Sequence, residues 1–89
     1  MSREMIASAR RDITQARRAG ADPEFCVAAQ QALEDCSRMY QHKLKGLPKL
    51  ETGMRRERRA YYMAQYVFRL DAIAAVARAY AARVRVVGA

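Results

Sequence analysis

Apolar positions return at three- and four-residue steps along most of the chain, in three runs separated by turn residues. In the first, Met5, Ile6, Ala9, Ile13 and Ala16 make one stripe of a helix over about residues 3–19. Ser2 is placed to cap its first turn and Gly20 to end it, with Arg17 and Arg18 complementing the dipole in the last turn. In the second run, Cys26, Ala29, Leu33, Cys36 and Tyr40 form a seam that Phe25, Ala32, Met39 and Leu44 widen, which predicts a helix over about 23–45. Its start is sharply marked. Asp22 is an N-cap, Pro23 takes the first helical position, where no N–H is needed, and Glu24 suits the dipole. Gly46 followed by Leu47 and Pro48 reads as a glycine C-cap. Residues 47–53 form a connector, since Pro48 and Gly53 weigh against a continuous helix; a helical turn from Pro48 onward is compatible with it.

The third run predicts a helix over about 54–86, roughly 50 Å long and longer than either predecessor. Tyr66, Leu70, Ile73, Ala77, Tyr80, Val84 and Val87 alternate at four and three residues, with Met63, Val67, Ala74 and Ala81 beside them, so this face packs on the first two helices. On the opposite side Tyr61, Phe68, Ala72, Ala75, Ala79, Ala82 and Val86 make a second stripe. A helix with two apolar faces has two packing partners. Alanine is harmless when exposed, but Tyr61, Phe68 and Val86 fit that reading poorly. The expectation is a dimer interface, most economically twofold. The alternating tail Arg83-Val84-Arg85-Val86-Val87 has one alternative reading, a short strand.

The fold class that follows is all-α: a three-helix antiparallel bundle in one domain, residues 1–89, with a long C-terminal helix that mediates dimerisation. Composition agrees, with 52% hydrophobic and 29% charged residues and only four Gly and two Pro. So small a chain buries a limited fraction of its surface, which also favours a second copy. The N-terminus lacks the uninterrupted apolar region of a signal peptide, and the most apolar run, 70–82, carries Asp71 and Arg78 and is too short to span a bilayer. A soluble, cytoplasmic protein is expected. Cys26 and Cys36, ten residues apart on one helix, are separated by roughly 15 Å and read as free buried thiols.

Charge changes the picture most. The net charge of +8 favours anionic partners. Arg outnumbers Lys 14 to 3, but arginine and alanine enrichment is expected of a GC-rich genome, so position matters more than total. Arg3, Arg10 and Arg17 make one row on the first helix and Arg11 and Arg18 another, a solvated face or a phosphate- or carboxylate-docking strip. With short connections the three helices run up, down and up, which brings Arg3 to one pole with Lys43, Lys45, Lys49, Arg55, Arg56, Arg58 and Arg59, leaving Asp22 and Glu24 at the other. From Lys43 to Arg59 the chain carries seven positive and two negative residues. With Tyr62 these cations form the candidate partner-binding pole. Guanidinium groups grip phosphate and aromatic rings stack on bases, yet the same residue types dominate protein–protein hot spots.

Catalytic chemistry is poorly represented. His42 stands alone on a polar face, neither cysteine has a spacing to it that makes a metal set or nucleophile pair, and no glycine-rich phosphate loop occurs. No catalytic, metal or cofactor residues are assigned. A helix-turn-helix is disfavoured because an amphipathic core helix follows the turn, and a membrane-surface helix because the apolar residues form seams. The expectation is a small basic non-catalytic binding protein, of the size of regulators encoded by bacteria, phages or mobile elements. It would regulate, inhibit or adapt a larger protein with an acidic or apolar docking surface; the alternative is a DNA- or RNA-binding protein using the same Arg/Tyr pole.

Overall fold

The computed structural model describes residues 1–88, and side chains through residue 84. Three helices follow in order: α1 (Arg3–Arg18), α2 (Pro23–Lys45) and α3 (Thr52–Gly88), with a single 3-10 turn at Leu47–Lys49 between the last two. The all-helical architecture agrees with the sequence pattern. Among the described residues no helix is long and apolar enough to cross a membrane.

Local chemistry sets most of the boundaries. Ser2 Oγ accepts from the Met5 N–H at 3.2 Å, and Asp22 Oδ1 accepts from the Glu24 N–H at 3.0 Å, so both predicted N-caps satisfy donors that the helix itself cannot. At the end of α1, Gly20 adopts φ +98°. There the Gly20 N–H donates to the Arg17 carbonyl at 3.1 Å and the Ala21 N–H to the Ala16 carbonyl at 3.0 Å, the paired bonds of a Schellman motif. Gly46 is different. Its φ of −80° is ordinary right-handed backbone, so α2 ends by tightening into the 3-10 turn and the expected left-handed glycine cap is absent.

The third helix is longer than the pattern implies at both ends. It starts at Thr52, takes Gly53 into its first turn, and continues through the alternating tail to Gly88, so the strand alternative is overturned. Backbone hydrogen bonding within the helix outweighed the two-residue alternation there. Side chains of Val86 and Val87 lie outside the described residues. The molecule measures 56 × 17 × 16 Å, and the 37 residues of α3 alone account for its length at ~1.5 Å per residue.

The core is a line of side chains between the helices: Ala9, Ile13 and Ala16 from α1, Cys26, Ala29, Leu33, Cys36 and Tyr40 from α2, and Tyr66, Leu70, Ala74, Ala77 and Ala81 from α3. Alanine supplies most of the α1 and α3 contribution, while α2 and α3 meet through rings. Phe25 stacks on Tyr80 with centroids 4.1 Å apart, and Tyr40 tilts against Tyr66 at 5.8 Å. Burial corrects the width of the seams: Phe25 and Leu44 are half-buried as expected, but Ala32, Met39 and Met63 are exposed. Leu47, placed in the connector by the sequence pattern, is buried.

Candidate protein-docking surfaces

Register decides where the basic residues go. Phe25 meets Tyr80, Cys36 and Tyr40 meet Tyr66, and Lys43 meets Tyr62, so α2 runs antiparallel to α3. Arg78 meets Asp12 across 66 residues, and a side chain on Gly20 would touch Val84, so α1 runs parallel to α3. Adding the 66-residue offset to Arg3 puts the start of α1 level with Arg69. The first seventeen residues of α3, roughly 25 Å, therefore extend past α1.

Arg3 is accordingly not part of the basic pole, contrary to the up-down-up expectation. That expectation took the helix ends to be flush; α1 has 16 residues and α2 has 23, so α1 stops short of the pole. The other seven cations do belong to one end of the molecule. Lys43 and Lys45 end α2, Lys49 ends the 3-10 turn, and Arg55, Arg56, Arg58 and Arg59 open α3.

Their surroundings differ. Arg55 is half-buried and donates to Thr52 Oγ1 at 2.8 Å, so it is held by its own helix. Tyr62 is also half-buried, with Lys43 Nζ 5.7 Å from its ring centroid and the Tyr61 ring at 5.6 Å. Lys45, Lys49, Arg56, Arg58 and Arg59 are exposed, and among the described residues none of them pairs with a carboxylate. The two ion pairs among the described residues lie elsewhere, at Arg38–Asp35 and Arg78–Asp12. The arginine rows of α1 are exposed as well.

The second stripe of α3 is open. Tyr61 is 58% and Phe68 74% exposed, and Ala72, Ala75, Ala79 and Ala82 are exposed too. Phe68 and Ala72 continue without a break into a shallow cleft against α2, lined by Ala32, Asp35, Met39, Arg69 and Ile73. Sequence periodicity located the stripe but missed this extension, because Ala32 and Met39 read as core. Arg69, exposed on the flank of the stripe, lies over the Tyr66 ring at 4.9 Å.

The candidate reactive groups are spread apart. His42 is exposed on α2, and both cysteines are buried and free. The Cys36 thiol donates to the Tyr66 carbonyl at 3.4 Å. Burial pushes its pKa up, against smaller opposing pulls from Arg69 and the N-terminal amine, which keeps it a protonated, unreactive thiol near neutrality. No protein-family model, curated protein or solved structure matches the chain.

Proposed function

We propose that this chain is a non-catalytic binding protein that regulates, inhibits or adapts a larger protein, and that it works as a homodimer. The observation that carries the reading is the outer face of α3, where Tyr61 and Phe68 stand 58% and 74% exposed on a helix whose other side is already packed. Large apolar groups held in water on a regular surface mark a docking site. Twofold pairing through Tyr61, Phe68, Ala72, Ala75, Ala79, Ala82 and Val86 would remove them from water, with alanine allowing two helices to approach closely. The basic end, Lys43, Lys45, Lys49, Arg55, Arg56, Arg58, Arg59 and Tyr62, remains free in such a dimer to meet an acidic surface.

Sedimentation tests the dimer. Wild type should have twice the chain mass, and Ala75→Glu with Ala79→Glu should give a monomer of unchanged helicity. An unchanged mass for the variant, or a monomeric wild type at high concentration, rejects the α3 interface.

The second reading, nucleic-acid binding, is favoured by the exposed cations that lack carboxylate partners. It requires that mixed-sequence DNA or RNA bind with affinity falling steeply as salt rises, and that Arg56→Ala with Arg59→Ala flatten that slope. No binding at ~50 mM salt, where electrostatics are weakly screened, removes it.

A further inference from the structure

The short α1 leaves the bundle unfinished at its basic end. On α3 the line that faces α1 includes Leu70, Ala74 and Arg78, which share a crevice with Met5, Ala9 and Asp12. Followed backward at three- and four-residue steps, that line continues through Val67, Met63 and Arg59 to Arg56. On α2 the line facing α1 includes Cys26, Gln30 and Glu34, which share a groove with Ile13 and Arg17. Followed forward, it continues through Gln41 to Leu44 and Lys45. The α2–α3 register sets Lys45 level with about residue 60 of α3, so roughly 13 Å of two-helix surface lies beyond the start of α1 with no third helix over it.

Chemistry selects the occupant of this step. Its floor is apolar: Leu44 and Val67 are half-buried, and Met63 is 44% exposed, as befits a core position whose cover is missing. Its rim is cationic, with Lys45, Arg56 and Arg59 exposed, and neither line carries a carboxylate there, Glu57 lying about 100° round α3 from Arg56. A phosphate backbone would satisfy the rim and meet hydrocarbon on the floor. An amphipathic helix with acidic flanks satisfies both.

We propose that an acidic amphipathic helix of a partner protein docks in the step between Gln41–Lys45 and Arg56–Val67, occupying the position of the missing α1 and completing the three-helix bundle in trans. This rests on the reading of the chain as a protein-binding protein. The site is distinct from the Phe68 stripe, which lies across α3 from it, so a dimer presents two such steps.

The probe is a designed helical peptide of about fourteen residues, long enough to cover the step, with leucine on one face and glutamate on both flanks. Titrated into the full chain at low salt, it should shift backbone amide resonances in segments 41–45 and 56–67. Met63→Glu, at an exposed position and checked for retained helicity, should weaken binding at least about tenfold, the effect of losing ~1.4 kcal/mol. Phe68→Glu should leave it intact. Absence of shifts, shifts confined to the Phe68 stripe, insensitivity to Met63→Glu, or displacement of the peptide by a random oligonucleotide that binds the same amides more tightly would each overturn the proposal. A host protein captured equally by wild type and Met63→Glu would overturn the docked helix yet leave the protein-binding reading standing. Recovery of nucleic acid alone would sink both.

Discussion

Arg78 Nη1 donates to Asp12 Oδ2 at 2.9 Å, joining α1 to α3 in parallel register. Asp12 is mostly shielded and Arg78 largely exposed, which limits what the pair contributes to stability. A double-mutant cycle of Asp12→Ala and Arg78→Ala, read by urea unfolding, should give a coupling of about 0.2–1 kcal/mol that shrinks in high salt. A coupling indistinguishable from zero at low salt would mean that alanine packing alone holds the register.

The two interhelical glycines should respond oppositely to alanine. At Gly20 the φ of +98° strains any L side chain, so Gly20→Ala should destabilise by about 1–2 kcal/mol. At Gly46 the backbone is right-handed and an added Cβ would meet only the Lys43 carbonyl at 3.6 Å, an ordinary contact. Gly46→Ala should be neutral or stabilise by up to ~1 kcal/mol through the unfolded chain. Denaturant midpoints of the two variants against wild type decide the matter.

Cys36 makes stability depend on alkaline pH. Burial raises its folded-state pKa, so the unfolded chain releases the thiol proton first. This contribution is fully present below the unfolded value of about 8.5 and is lost as pH rises through the raised folded value. Between pH ~7.5 and ~9.5 wild type should lose more stability than Cys36→Ala. Equal losses in the two proteins would show that the thiol does not titrate differently on folding.

Leu47 anchors the connector. It is 2% exposed in the 3-10 turn, which packs against α3. Leu47→Ala should cost about 2–5 kcal/mol and raise amide exchange at the start of α3 before it does so at the centre. Uniform exchange along α3 would argue that the turn does not hold the basic end.

Much of the fold could be read from the chain because local chemistry and burial agree. Ser2, Asp22, Pro23 and Gly20 mark boundaries that cap hydrogen bonds then produce, and the Cys26–Tyr40 seam and Tyr66, Leu70 and Ala77 of the third helix are buried as their spacing requires, with Ile73 half-buried. The relative levels of the helices could not be read. Periodicity states which face is inward but not how far one helix slides along another, and that slide depends on contacts such as Asp12–Arg78 and Phe25–Tyr80. Hence the pattern groups Arg3 with cations lying well beyond it and places Met63 in a core that α1 does not reach; Leu47 reads as loop because a single apolar residue beside Pro48 has no periodicity to show its burial. The second stripe was legible because exposed Phe68 and Tyr61 break the expected polar face, whereas its extension over Ala32 and Met39 depends on how α2 is rotated against α3.

Capture from the native host, using the full chain as bait with and without nuclease, tests the central claim most directly. A protein partner that survives nuclease treatment, and whose recovery falls when Lys45, Arg56 and Arg59 are changed to glutamate, is the predicted result. Recovery of nucleic acid with no nuclease-resistant protein would contradict it.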